Sequence, residues 1–241
     1  GCSGGTGRGS SDADIIFVRA PMKISGVVIE PAYIWSSGGT GSGALNANRP
    51  ANQSRHTVGG RAVTKFSAAK ARIDVTVEGY YQFGEIGYND SIYGREMDID
   101  AYAFHIDGGI TLPVPMQPRL GGEFNISSGD SKANDCNTAA SVSAGTCNAD
   151  SGVFDQMFPT NHIHFGYMDR MAWKNMVHFA GTLNLRPTKN SHLDIGFHKF
   201  YLNEELDNWY GANQLIFVKS PSSNTKDDLG SEIDVVYTMF F

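Results

Sequence analysis

The chain has 241 residues, a length that fits one large β domain or two small ones. It holds no run of about 18 apolar residues, which argues against a transmembrane helix. Its formal net charge of -6 argues against a nucleic-acid-binding protein, because such proteins present a basic face.

The N-terminal part of the sequence predicts extended segments that are separated by loops. A Gly/Ser-rich stretch covers residues 1–11, which indicates that the chain was processed or belongs to something longer. We expect residues 23–36 to be extended, and a loop rich in Gly, Asn and Ser covers residues 37–54. Residues 56–66 and 71–83 then predict a hairpin.

Residues 72–83 show the clearest alternation in the chain. Because side chains alternate along a strand, one face would be apolar and would carry Ile73, Val75, Val77, Gly79, Tyr81 and Phe83. The polar face would carry Arg72, Asp74, Thr76, Glu78, Tyr80 and Gln82. Repeated strands of this kind, about ten residues each, are typical of a membrane barrel with lipid outside and water inside. The mean hydropathy of -0.27 is compatible with such a barrel, because every second strand residue faces water.

Later segments repeat this pattern and complete the set of predicted strands, which cover residues 96–107, 119–127, 176–187, 192–202 and 232–241. Their connections differ in length, as the short 187–190 and the long polar 128–162 show. Outer-membrane barrels have short periplasmic turns and long external loops, so we expect residues 128–162 to form an external loop.

A soluble β-sandwich is the alternative fold. Its outward faces should meet only solvent, whereas here one face stays apolar along several strands and the other carries charges of both signs. The pattern therefore favours an all-β, antiparallel transmembrane β-barrel of the outer-membrane type, in one domain over residues 1–241.

Two of the three cysteines flank a polar loop. The separation of Cys136 and Cys147 allows a disulfide that closes a short loop and stabilises it by about 3 kcal/mol. Such a bond would indicate an oxidising compartment, and the alternative is two free thiols. Cys2 is left over, and it could be a lipidated N-terminal cysteine.

Several short motifs resemble the outer-membrane alginate export family in their order and spacing. The series begins with GGEFNISSGD at residues 121–130 and FDQMFPTNH at residues 154–162. GYMD at residues 166–169 and WKN at residues 173–175 follow. The resemblance extends over about residues 55–241.

The resemblance implies a monomeric barrel of up to about 18 strands that passes a polyanionic sugar through a charged lumen. The sequence predicts only about eight to ten strands, which indicates the C-terminal portion of a larger barrel or a chain that is incomplete at one or both ends. The alternative is a genuine C-terminus, with Phe241 closing an aromatic terminal strand.

If the polar faces line a pore, their charged side chains set its selectivity. The predicted pore-lining residues are Arg61, Arg72, Asp74, Glu78, Asp98, Asp100, Arg119, Glu123, His178, Arg186, Asp194, His198, Glu232 and Asp234. Acids outnumber arginines in this set, and mixed charge also fits a porin for small or uncharged solutes. The charged groups could instead be paired structural ladders, because buried charges require partners.

The sequence predicts no enzyme, no cofactor and no metal site. It contains no Gly-x-Ser-x-Gly elbow and no phosphate-binding loop. His162 and His164 share one face of an extended segment and have the spacing to bind a metal, but no acid cluster with metal spacing accompanies them.

We therefore expect a porin or channel of the bacterial outer membrane that lets hydrophilic solutes diffuse or be exported, polysaccharides among them, with residues 128–162 as a lid. The alternative function is a structural barrel that scaffolds or sheathes a partner protein. The expected partners are outer-membrane lipid, a hydrophilic solute or polysaccharide, and a protein in the same membrane, but no nucleic acid.

Overall fold

The computed structural model describes residues 13–38, 50–88, 96–131, 150–158, 164–221 and 223–241. The strands of this part of the chain are β1 (Ala13–Arg19), β2 (Met22–Ile24), β3 (Val27–Gly38), β4 (Pro50–Ala68), β5 (Ala71–Tyr88), β6 (Glu96–Thr111), β7 (Arg119–Ser127), β8 (Asp150–Ser151), β9 (Met176–Thr188), β10 (Ser191–Tyr201), β11 (Trp209–Tyr210), β12 (Ile216–Val218) and β13 (Asp228–Met239). Within the same ranges, no helix has the length and apolar character needed to cross a membrane.

One large sheet contains 11 of these strands. Its main path runs β1-β3-β4-β5-β6-β7-β9-β10-β13, and every neighbouring pair on this path is antiparallel. The short strand β2 pairs with β3 beyond the end of β1 and is antiparallel to β3, and β8 pairs with β6 in parallel. The sheet is open, because β1 and β13 each pair along one side only among the described residues. The predicted all-β antiparallel fold is confirmed.

The two ends of the sheet differ in the length of their connections. At one end, β4 and β5 are joined by Ala69 and Lys70, and β9 and β10 by Lys189 and Asn190. At the other end lie the connections from β7 to β9 and from β10 to β13, which are several times longer. This division into a short-turn end and a long-connection end is the arrangement of outer-membrane barrels.

The pairing register assigns the side chains of the sheet to two faces. Gln82 of β5 lies opposite Ala101 of β6 and Thr57 of β4, and all three are buried. We call this side the inward face. The next residue, Tyr81, lies opposite Tyr102 on the outward face, where both rings are exposed.

The outward face is apolar along most of the sheet. Phe179 is 49% exposed, Ile233 70% and Val235 65%. Soluble monomers rarely expose so continuous an apolar surface, whereas the lipid-facing side of a barrel consists of it. The predicted apolar face of residues 72–83 belongs to this surface.

The buried apolar side chains form two small clusters on the inward face, near the long-connection end. Phe154 packs on Ile86, Ile99, Ala101 and Ala103. The second cluster comprises Phe165, Met171, Met176 and Phe200. Both form because two pieces of the β7–β9 connection, residues 150–158 and 164–175, fold onto the sheet. Part of the connection that the sequence predicts to be external therefore lies against the inward face.

Candidate functional site

The inward face brings together most of the residues that the sequence predicts to line a pore. Strand register places them on the same side of the sheet as Gln82 and Ala101. These residues are Arg61, Arg72, Asp74, Glu78, Arg119, Glu123, His178, Arg186, Asp194, His198, Glu232 and Asp234.

Asp98 and Asp100 lie on the outward face, which differs from the prediction. Their neighbours Ile99 and Ala101 point inward and are buried beneath Phe154. Asp100 accepts a hydrogen bond of 3.0 Å from the Tyr81 hydroxyl on the outward side. The prediction was wrong because the docked connection makes this stretch of the inward face apolar, which reverses the usual assignment of polar residues.

Arginine and carboxylate side chains from different strands pair on the inward face. Nε of Arg119 donates to Oδ1 of Asp74 at 3.1 Å, and its guanidinium lies 3.9 Å from Asp107. Nε of Arg61 lies 3.8 Å from Oε2 of Glu78, and these two side chains are 46% and 25% exposed. The pairs are thus open to water, where such an ion pair contributes little to stability.

A cavity of about 300 Å³ lies beside the Arg61–Glu78 pair. Its wall combines charged, imidazole and aromatic side chains, including Arg19, Glu30, Arg61, Glu78, Tyr80 and His164. A second ion pair in this wall joins Arg19 to Glu30 at 3.1 Å. Opposite charges beside aromatic rings offer hydrogen-bond donors, acceptors and flat apolar surface to one ligand.

A chain of hydrogen bonds crosses the inward face from β6 to β10. His105 bonds Asp107 through Nε2 at 3.0 Å and Oδ1 of Asn125 through Nδ1 at 2.7 Å. Nδ2 of Asn125 donates to Nδ1 of His178 at 2.9 Å, which leaves Nε2 of His178 to donate to Nδ1 of His198 at 3.0 Å. These buried polar groups therefore satisfy one another and fix the ring orientations.

Residues 150–158 are held on the inward face by a buried ion cluster. Oδ1 of Asp155 lies 2.8 Å from Nζ of Lys174, and Oδ2 lies 3.8 Å from Nε of Arg55. Burial acts to raise the pKa of Asp155, but Lys174 and Arg55 outweigh it and hold that pKa below its usual range. Gln82 adds two bonds to the Asp155 backbone, one donated at 2.9 Å and one accepted at 2.8 Å.

Asn175 joins the β7–β9 connection to the β10–β13 connection. Its side-chain nitrogen donates to the carbonyls of Glu204 and Asn208 at 3.0 and 3.1 Å, and its oxygen accepts from the Glu204 amide at 2.7 Å. Lys174 approaches the Tyr210 ring, with Nζ 6.0 Å from the ring centroid. The two long connections thus form one packed layer.

Asp207 is the buried carboxylate of this layer. It accepts from the amides of Asn208 and Asp130 at 2.7 and 3.1 Å and from the Tyr210 hydroxyl at 2.9 Å. Burial nevertheless raises the pKa of Asp207 to about 6. Burial, with nearby Asp130 and Glu205, also raises the pKa of Glu204. The layer therefore holds two carboxyl groups whose pKa values lie above their usual range.

Sequence reasoning missed several residues of the inward face, among them Arg55, His105, Asn125 and Lys174. A period-2 pattern through β6 could have identified His105, because Ala101 and Ala103 share its face. Nothing in the sequence indicates that Lys174 meets Asp155, because their contact depends on how the connection folds. The predicted disulfide between Cys136 and Cys147 lies outside the described residues.

Comparison with known proteins agrees with the resemblance in the sequence. A family model described as alginate export matches residues 11–241. No curated protein sequence matches the chain. The match extends over nearly the whole chain, including the strands of the inward face and both long connections.

Proposed function

The chain belongs to the alginate export family of bacterial outer-membrane β-barrels, and from this premise we propose that it forms the wall of a channel that passes hydrophilic solutes, polysaccharides among them. In this proposal the outward face meets lipid, and the inward face lines the lumen. Because unpaired strand edges cannot face lipid, the free sides of β1 and β13 must be paired with strands in the working channel.

The cavity beside Arg61 and Glu78 is the observation that carries this proposal. Its charged pairs are partly exposed, so a passing solute can exchange water for their hydrogen bonds at little cost. The rings of Phe17 and Tyr80 add apolar surface to the same cavity. Sugars present hydroxyl groups at their edges and C–H groups on their faces, which matches this combination.

The charge balance of the cavity narrows the proposed solute class. The cavity wall contains two arginines, Arg19 and Arg61, and two glutamates, Glu30 and Glu78. The formal charges of these four groups therefore cancel. A constriction that selects polyanions should carry excess positive charge. The proposed channel therefore favours neutral or weakly charged sugars over strongly anionic ones.

Residues 150–158 act as a lid in this proposal. They occupy the inward face near the long-connection end through Asp155 and Phe154. Their position narrows the space that a solute can use. Conductance should rise when these contacts are broken, because the segment would then leave the inward face.

Single-channel recording of the full-length protein in planar bilayers tests the proposal. We expect stable open steps that neutral oligosaccharides block more strongly than oligouronates of the same length. Stronger block by oligouronates would support the export of polyanions and overturn the proposed solute class. An absence of open steps from folded protein would overturn the channel itself.

A scaffold is the second candidate function, and the docked connection favours it. Residues 150–158 and 164–175 fill part of the inward face and bury two apolar clusters there. A barrel filled in this way could sheathe or anchor a partner protein while conducting little. A partner that co-purifies in a fixed ratio, together with an absence of conductance, would support the scaffold over the channel.

A further inference from the structure

Three side chains that are far apart in the sequence meet where the β7–β9 connection touches the inward face. His105 is on β6, Glu123 is on β7, and His164 is on the docked segment. One potential ligand atom from each lies within 4.8 Å of the other two. Nδ1 of His164 is 3.0 Å and Nδ1 of His105 is 3.5 Å from the same oxygen, Oε1 of Glu123.

We propose that His105, Glu123 and His164 form a binding site for a zinc-like divalent transition-metal ion. Two imidazole nitrogens and one carboxylate oxygen are the ligand set that such ions take in open sites. Tetrahedral zinc with bonds of about 2.0–2.1 Å keeps its ligand atoms about 3.3 Å apart, and the separations of 3.0 and 3.5 Å from Oε1 of Glu123 bracket that value.

The neighbours of His105 support this assignment. Nε2 of His105 bonds the Asp107 carboxylate at 3.0 Å, which orients the ring, and Nδ1 lies 2.7 Å from Oδ1 of Asn125 and 3.5 Å from Oε1 of Glu123. A histidine that binds a metal through one nitrogen commonly donates the other N–H to a carboxylate, which fixes its tautomer. On binding, the ion takes the place of the proton on Nδ1 of each histidine: the proton of His105 leaves to water, because Nε2 of that ring keeps its own proton towards Asp107, and the proton of His164 moves to Nε2 of its ring or leaves to water.

Asn125 and the surrounding cavity complete the environment of the site. Oδ1 of Asn125 lies 2.7 Å from Nδ1 of His105, so this oxygen is close enough to move towards the ion. His105 and His164 also line the cavity of about 300 Å³. Three protein ligands thus leave a coordination position for water or for a solute oxygen in that cavity.

The segment that carries His164 is fixed against the sheet by contacts of its own. Phe165 is buried in the second apolar cluster. Gly166 has a φ of +79°, and a Cβ there would lie 2.6 Å from the carboxylate of Glu232. The Met168 amide donates to that carboxylate at 2.7 Å. These contacts place His164 before any ion binds, so binding requires little rearrangement.

The site would tie the connection to the wall of the sheet. An ion held by His164 on one side and by His105 and Glu123 on the other joins three elements that are otherwise linked by hydrogen bonds. Its binding stabilises the docked position of the segment around His164, and its removal weakens it. The proposed site can be tested independently of the proposed channel, because metal binding can be measured whether or not the protein conducts.

Cobalt titration of the chelator-treated full-length protein in detergent tests the site. Tetrahedral Co²⁺ with nitrogen and oxygen ligands absorbs in the visible range, whereas thiolate ligands add strong near-ultraviolet absorption. We expect one Co²⁺ per chain without the thiolate absorption, and displacement by Zn²⁺. Absorption of the thiolate type, or no stoichiometric binding, would overturn the proposal.

Variants separate the three ligands from other histidines. His164→Gln removes a half-exposed ligand and should weaken binding by about tenfold or more. Glu123→Gln should have a similar effect, whereas His192→Gln, on the same face but at the short-turn end, should leave binding unchanged. Circular dichroism of each variant shows whether it folds. Folded His164→Gln and Glu123→Gln proteins that bind Co²⁺ like the original would contradict the assignment.

Discussion

Two sets of oppositely charged side chains on the same face of the sheet differ sharply in their surroundings. Arg61 and Glu78 lie near the middle of their strands and keep 46% and 25% of their side chains exposed. Asp155 and Lys174 of the docked connection meet Arg55 of β4, and the three side chains are 10%, 4% and 5% exposed. We call Arg61 and Glu78 the wet pair, and we call Asp155, Lys174 and Arg55 the dry cluster.

The difference teaches what each set of charges can do. The side chains of the dry cluster are shielded from water, so each charge is stabilised only by its partners. Removing one partner therefore lowers the stability of the protein strongly, because it leaves an uncompensated buried charge. The wet pair keeps its water, so it contributes little to stability but remains able to interact with solutes. Burial, more than residue type, therefore separates the groups that hold the connection from those that face the proposed lumen.

The largest expected effect is that of Lys174→Met, which breaks the dry cluster. Asp155 would keep only Arg55 as a charged partner, and loss of a buried partner costs about 3–5 kcal/mol. Residues 150–158 can avoid this cost by leaving the sheet. Their amide hydrogen exchange should therefore accelerate strongly while the strands stay protected.

Lys199→Met is the matched control for this prediction. Lys199 pairs with Asp228, but that pair is exposed, with 24% and 57% of the side chains open to solvent. We expect little change in exchange from this substitution. Equal effects of the two substitutions would mean that burial does not separate the two kinds of ion pair.

A smaller effect should appear as a pH dependence in the layer of long connections. Asp207 has a pKa of about 6 in the folded protein and about 3.9 in an unfolded chain. Because the folded value is higher, the stability that Asp207 contributes is complete below pH 4 and is lost as pH rises through 6. The shift corresponds to a change on the order of 3 kcal/mol.

Hydrogen exchange of residues 202–215 at pH 5 and pH 8, corrected for the intrinsic pH effect, measures this dependence. We expect less protection at pH 8, and a weaker dependence in Asp207→Asn. The depressed pKa of Asp155 keeps that group charged at both pH values, so residues 150–158 serve as the internal control. Greater protection of residues 202–215 at pH 8 would contradict the burial argument.

The smallest effect on stability is expected at the wet pair. Arg61→Gln and Glu78→Gln should each change the free energy of unfolding by less than about 1 kcal/mol. Their effects on ion selectivity should have opposite signs, because Arg61→Gln leaves the negative charge of Glu78 without this partner and Glu78→Gln leaves the positive charge of Arg61 without this partner. Reversal potentials in a salt gradient measure this, and shifts in the same direction would contradict a lumenal position.

The sequence predicted the fold where the alternation was local and uninterrupted. Residues 72–83 could be assigned to two faces because neighbouring strands continue the same pattern, and the structure places them in β5. The assignment failed for Asp98 and Asp100, because Phe154 covers that stretch of the inward face from a distant part of the chain. Contacts made by a long connection leave no periodic signal.

The same reason explains why the cluster of His105, Glu123 and His164 was not predicted. Glu123 and His164 are 41 positions apart, and the segment between them includes most of the β7–β9 connection. Strand register brings Asp107 opposite Glu123, and therefore His105 close to it. The fold of the connection then adds His164. Periodicity could have supplied the first of these relations, but only the structure supplies the second.

The most direct test of the account compares two neighbouring valines on β13. Val235 lies on the outward face and Val236 on the inward face, opposite Asp194. Arginine facing lipid near the bilayer midplane costs about 2–4 kcal/mol. In lipid vesicles, Val235→Arg should lower the free energy of unfolding by that amount, and Val236→Arg should lower it much less. Equal losses, or a larger loss for Val236→Arg, would contradict the central claim that one face meets lipid and the other meets water.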